Sequence, residues 1–146
     1  MIDYFDASAL AAILFSEPAG QSVVDHTTAT EADLLVSDFV VAEVSSAISR
    51  LVRMRARTAD QGDHLLGNLD DWVNASGDLI DIHPTDVREA TALVRQFDLK
   101  LRAPDALHIA ICRRIDARLI TLDNNLAAAA QAVGLPCMNP AESSAV

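Results

Sequence analysis

Short apolar runs set apart by stretches with helical spacing constrain this chain more than any other feature. IDYF at 2–5, LLVS at 34–37, LIDIH at 79–83 and RLITL at 118–122 read as strands, and CMN at 137–139 is a shorter candidate. Helical patterns fill the gaps: SALAAILF at 8–15, a short helix from Pro18 to about His26, and a long one from about Phe39 to Arg55 capped by Ser37 or Asp38. Residues 58–75 carry Leu65, Leu66, Leu69, Trp72 and Val73 on one face. Residues 85–97 line up Val87, Ala90, Leu93, Val94 and Phe97 in a single stripe. A strongly apolar helix follows from Pro104 to about Ile115, and LAAAAQAV at 126–133 ends at Gly134. Alternation of this kind predicts an α/β fold with a mainly parallel central sheet. Sheets of that type place ligands outside the carboxyl ends of their strands.

The length of 146 residues fits one domain with its own core. Half of the residues are apolar (51%) and only 4% are aromatic, so an aliphatic core is expected. No apolar run spans a bilayer, and MIDYFDASAL has two Asp and no basic leader before its apolar stretch, so a cytoplasmic protein without membrane attachment is expected. Cys112 and Cys137 stand far apart among apolar neighbours and read as core residues, not as a disulfide framework. The net charge of −10 argues against a general nucleic-acid binder with a basic face, unless the acids gather around a cation.

Most of the 21 acidic residues need no special account; Asp60, Asp63, Asp70, Asp71 and Glu89 fall on polar helix faces or caps. Four are placed differently. Asp6 follows IDYF and Asp123 follows RLITL, so both sit at strand carboxyl ends. Glu43 interrupts the apolar and small residues of FVVAEVSSAIS, and Asp105 opens the apolar helix APDALHIAIC. Taken singly, each has a plainer explanation: Asp6 and Asp123 can cap the helices after them, Asp105 suits a first helical turn, and Glu43 can face solvent. Taken together they need four separate explanations. Carboxylates removed from water are costly unless paired or metal-bound, and four in one cleft repel one another. A hard divalent cation relieves both problems, and a site of oxygen ligands alone points to Mg²⁺ or Mn²⁺ and away from zinc. Such ions commonly serve the chemistry of phosphate esters.

DASAL at 6–10, the Glu43 of VVAEVSSAISR, LRAPDALHIA at 101–110 and TLDNNL at 121–126, in this order and spacing, resemble the PIN-domain ribonucleases. More narrowly they resemble the VapC-type toxins of bacterial toxin–antitoxin pairs, over nearly the whole chain to GLPCMNPAE. The resemblance implies a three-layer α/β/α domain over residues 1–146 that cleaves RNA with the help of Mg²⁺ or Mn²⁺, leaving a 5′-phosphate and a 3′-hydroxyl. It carries the four acidic metal positions onto Asp6, Glu43, Asp105 and Asp123, and a supporting hydroxyl onto Ser8. Some relatives have a further acid after the last Asp, where this chain has Asn124 and Asn125. Asn125 is therefore a supporting position that brings no charge, and a tight second ion is not expected without substrate. The resemblance also implies a small antitoxin as protein partner and a homodimer.

Three features stay open at this point. His108, one turn after Asp105, reads best as a core histidine bonded to a neighbour, with pairing to Asp105 or a role as base as alternatives. Arg50 and Arg53, with Arg55 and Arg57, either touch RNA phosphates or form a solvated helix end, and Arg102 either reaches the cleft rim or makes a structural ion pair. Two other functions compete with the ribonuclease. One is a different acid-metal phosphohydrolase or receiver, but the chain lacks DxD after its first strand and a Lys after RLITL. The other is a non-catalytic interaction domain whose acids only cap helices.

Overall fold

The computed structural model describes residues 1–76 and 79–142. Its first strand, β1 (Ile2–Phe5), is followed by α1 (Ala7–Leu14), α2 (Gly20–Ala29), β2 (Asp33–Leu35), α3 (Asp38–Arg53) and α4 (Ala59–Ser76). The second half runs α5 (Pro84–Val94), a 3-10 turn (Phe97–Leu99), α6 (Ala103–Ile115), β3 (Ala117–Ile120), α7 (Asn124–Ala132) and β4 (Cys137–Met138). The strands are parallel in the order β2-β1-β3-β4. Ile2 pairs with Asp33 on one side and Ala117 on the other. The chain leaves β1 for β2 on one flank and later places β3 on the opposite flank. The strand order thus reverses between β1 and β3, where open parallel sheets form their binding crevice.

Alternation along β1 distributes its side chains between two helical layers. Tyr4 faces His108 of α6, whereas Phe5 packs against Trp72 of α4 and Asp3 reaches His26 of α2. Tyr4, Phe5, Leu119 and Ile120 are fully buried, which puts the core on both faces of the central pair. Helix α6 is covered nearly all round: Ala106 through Cys112 are seven consecutive buried residues. That explains its apolar composition. Helix α7 ends where Gly134 adopts φ +77°, a conformation open to a residue without Cβ. No helix among the described residues is long and apolar enough to cross a membrane.

Two expectations fail. LIDIH is not a strand; Ile80 alone bridges to Ser37. Its neighbour β2 is only three residues long, and Ser37 already caps α3, so no ladder remains for a longer partner. Helix α5 stops at Val94 and does not reach Phe97. Ala90 and Leu93 fill the centre of its stripe; Val87 at the stripe's edge is 51% exposed, and Phe97, beyond the helix end, is 89% exposed.

Candidate active site

The sheet register builds the first part of the site. Phe5 is paired with Ile120, so the next residue on each strand, Asp6 and Thr121, emerge side by side at the carboxyl edge. Thr121 Oγ1 donates to Asp6 Oδ2 at 2.5 Å, while Ser8 Oγ (2.7 Å) and the Ala9 N–H (3.0 Å) donate to Asp6 Oδ1. Ser8 Oγ accepts from the Leu122 N–H, and Thr121 Oγ1 accepts from the Asp123 N–H, both at 3.0 Å. The two hydroxyls therefore knit the loops after β1 and β3 together, with both of their protons directed at one carboxylate. Asp6 is 4% exposed. Burial raises its pKa, against the opposing pull of Thr121, His108 and Ser8.

Asp123 caps α7, its Oδ1 accepting from the N–H groups of Asn125 (2.9 Å) and Leu126 (3.1 Å). Asp6 caps α1 in the same manner. The plainer readings of these two acids are thus true as well. Asp105 likewise takes the first-turn place that its plainer reading gave it, whereas Glu43 does not simply face solvent. Glu43 lies mid-helix and half-buried on α3, where Oε1 meets His108 Nε2 at 2.5 Å. Asp105 is half-buried in the first turn of α6 and accepts no hydrogen bond among the described residues. Its pKa is raised by burial first and then by the negative charges of Asp123, Asp6 and Glu43, with His108 opposing. Asp105 is therefore the point at which the negative charges of the other three acids meet.

A family model for the PIN domain matches residues 4–132. The chain belongs to the PIN-domain family. Its fold is similar to that of FitAcB from Neisseria gonorrhoeae, with a TM-score of 0.75 at 16% identity over 95% of this chain and 98% of that one. VapC20 of Mycobacterium tuberculosis, a toxin that cleaves the sarcin–ricin loop, gives 0.70 at 14% identity over 91% and 95% of the two chains. VapBC2 from Rickettsia felis, bound to a DNA fragment from its promoter, gives 0.68 at 16% identity over 95% and 98%. At these identities the likeness is one of fold. No curated protein sequence matches the chain significantly.

Whether this PIN domain's acids suit a cation is a question of donor chemistry. No three His, Cys, Asp or Glu side chains among the described residues stand together as a ready-made chelate. Asp105, the second oxygen of Asp123 and the second oxygen of Glu43 nevertheless have no hydrogen-bond partner among those residues. Both oxygens of Asp6 are engaged. Loosely spaced, hard oxygen donors fit an ion that keeps several of its waters, as Mg²⁺ does, and not one that needs a closed protein cage.

The remaining candidates in the PIN domain divide. Glu43, Arg50, Arg53 and Arg102 share one open groove of about 750 Å³ with Glu17 and Met54. Arg55 and Arg57 line a separate hollow with Gln61. Arg50 and Arg53 are exposed and bond to Met54 and Ser49 of their own helix. Asn125 donates to the Lys100 carbonyl at 3.1 Å, tying the start of α7 to the loop that leads into Asp105. His108 is buried and doubly bonded, as a core histidine should be, but one of its partners is a site acid. Thr121 and Tyr4 were not singled out from the sequence. The cue for Thr121 was its place just after a strand parallel to the one before Asp6. The cue for Tyr4 was a lone Tyr in a buried strand, since its hydroxyl then needs a partner.

Proposed function

We propose that this PIN domain is a metal-dependent endoribonuclease, the toxin of a toxin–antitoxin pair acting in the cytoplasm, with residues 1–146 forming one unit. The observation that carries this reading is the set of four acids around the crevice between β1 and β3, where Asp105 accepts no hydrogen bond among the described residues and feels the negative charge of Asp123, Asp6 and Glu43. The toxins among proteins of similar fold support it.

In this reading Asp6, Glu43, Asp105 and Asp123 hold Mg²⁺ or Mn²⁺. When bound, the ion supplies an activated water and neutralises charge on the phosphodiester. Asp105, Asp123 and Glu43 offer the outward oxygens. Ser8 and Thr121 keep Asp6 in its orientation, and Asn125 steadies the loop before Asp105. Arg50, Arg53 and Arg102 lie along the groove that leads from Glu43, where they hold the RNA backbone by its phosphates. The ion answers the objection raised by the net charge of −10, since it gives the acidic crevice a positive centre facing the RNA. A small antitoxin would be the protein partner, and the toxin would act as a homodimer.

The test is induction of the protein alone in a bacterial host, with RNA 5′ ends sequenced beside an Asp105→Asn control. Cut sites that require Asp105 are expected. Identical RNA ends in the two cultures would rule out the ribonuclease.

A further inference from the structure

Helix α3 is bonded to itself through two other elements. The Val40 N–H donates to the N-cap Ser37 Oγ at 3.2 Å. Ser37 Oγ lies 2.7 Å from the Tyr4 hydroxyl on β1, and that hydroxyl lies 2.8 Å from His108 Nδ1 on α6. His108 Nε2 then returns to α3 at Glu43 Oε1, 2.5 Å away. Ser37 and Tyr4 are fully buried and His108 is 2% exposed, so bulk water reaches the chain only at its Glu43 end, which is 26% exposed.

The chemistry of the groups gives the chain a direction. A carboxylate can only accept, so His108 Nε2 carries the hydrogen that faces Glu43. With the imidazole neutral, Nδ1 has no hydrogen and must accept from the Tyr4 hydroxyl. Tyr4 oxygen then accepts from Ser37, whose own oxygen takes the Val40 N–H. Every donor and acceptor along the path is used once, and the path fixes a single imidazole tautomer. The ring is also held mechanically: Tyr4 and Phe39 rings flank it, with centroids at 5.7 and 5.6 Å.

We infer that Tyr4 and His108 are positioning residues that hold the Glu43 carboxylate at the acid cluster, so that Oε1 is fixed and its other oxygen is presented to the crevice. Without that hold, Glu43 is a flexible side chain on a helix face beside an open groove. Its three rotatable bonds would then carry it away from three other negative charges. The donor from His108 both restrains it and makes its approach to Asp105 tolerable. Buried donors that orient a metal-binding side chain typically matter about 10–100-fold in metal affinity. The inference rests on the acid-site reading above and adds two residues to it that do not touch substrate.

The experiment is a Mn²⁺ titration of the full chain, followed by the electron paramagnetic resonance of free Mn²⁺, with melting in EDTA as the check on folding. His108→Leu should bind Mn²⁺ about tenfold more weakly. His108→Gln should retain most of the affinity, because its amide can donate where Nε2 did. Tyr4→Phe should show a smaller loss, since the ring remains and only the bond that selects the tautomer is gone. In a Glu43→Gln background, His108→Leu should have no further effect, whereas a merely structural histidine would give additive losses. Tyr4→Phe keeps the question open to test should His108→Leu fail to fold. Mn²⁺ affinity that depends on Asp105 but is unchanged in Tyr4→Phe and in the His108 variants overturns the positioning role alone. Absent Mn²⁺ binding by the unaltered protein, or undiminished binding by Asp105→Asn, overturns the acid site and the positioning role with it.

Discussion

Strand β1 and the residue that follows it carry two buried acids three residues apart, and the protein treats them in opposite ways. Asp3, on the face toward α2, is gripped by a guanidinium and an imidazole. Its register partner Arg118 grips it with two bonds of 2.8 and 2.9 Å, and His26 Nε2 adds a third at 2.8 Å. Asp6, at the strand's end, is held by two hydroxyls and a backbone N–H, none of which carries charge. Burial raises both carboxyls, but at Asp3 the bonds from Arg118 and His26 outweigh it and the pKa is lowered. At Asp6 burial wins and the pKa is raised. A closed ion pair braces the fold and has no charge left to offer. A carboxylate fastened by neutral donors has no cation of the fold to cancel its charge when it ionises, and that is the condition for recruiting one. Asp86 on α5 belongs with Asp3, since Arg114 binds both of its oxygens.

The two treatments predict opposite phenotypes, and the largest is expected at the open site. Asp105→Asn should lower Mn²⁺-dependent RNA cleavage by more than about a hundredfold, because it removes the one acid of the cluster with no hydrogen bond to satisfy. Its melting temperature in EDTA should equal or exceed that of the unaltered protein, since a carboxylate among like charges is lost. Added Mn²⁺ should raise the melting temperature of the unaltered protein and leave that of the variant in place. Cleavage assays beside melting curves check all three statements. A variant that loses activity and melts early in EDTA would place Asp105 with Asp3, among the acids that brace the fold.

Asp3→Asn should do the reverse. It leaves the Arg118 guanidinium, which is 28% exposed, without its buried partner, at a cost of about 3 kcal/mol. For a chain of this size that is a fall of roughly 6–12 °C in melting temperature. Cleavage per folded molecule should be unchanged, because Asp3 points to the far face of the sheet. Acid should erase the difference. Asp3 and Asp86 lie below the ordinary carboxyl value of 3.8, so the stability they contribute is whole above that value and is lost as pH falls through the folded pKa. The gap in melting temperature between Asp3→Asn and the unaltered protein should therefore be constant near neutrality and narrow below about pH 4. A gap that persists into stronger acid would mean that the ion pair is not its source.

The four candidate acids could be singled out in the sequence because their signal is local. Two follow apolar runs that became β1 and β3, one interrupts an apolar helix face, and one opens a helix that is buried nearly all round. The parallel sheet was legible for the same reason. What escaped depends on distant partners. Asp3 and Arg118 are 115 residues apart and become a pair only through the register of two strands. Tyr4 and His108 are separated by 104 residues, and Glu43 and His108 by 65. LIDIH has the composition of a strand, but whether it pairs is decided by the length of β2, which its own residues do not report. Phe97 fitted the stripe of α5 by spacing, and only the early end of that helix leaves it in solvent.

The smallest expected effect falls on the donors that distinguish Asp6 from Asp3. Thr121→Val is nearly isosteric and removes the hydroxyl that Asp6 Oδ2 accepts from at 2.5 Å. It also removes the acceptor of the Asp123 N–H, so Asp6 and Asp123 each lose a tether. A buried carboxylate deprived of one donor costs about 1–2 kcal/mol, and the variant should melt a few degrees lower. Thr121→Ser keeps the oxygen and its proton, and it should melt within about a degree of the loss expected from one methyl group. The informative quantity is the Mn²⁺-induced rise in melting temperature. If hydroxyl tethers are what hold Asp6 ready for a cation, that rise shrinks in Thr121→Val and survives in Thr121→Ser. Equal rises in the two variants would show that Ser8 Oγ and the Ala9 N–H suffice to orient Asp6, and that Thr121 serves only the packing of the two loops.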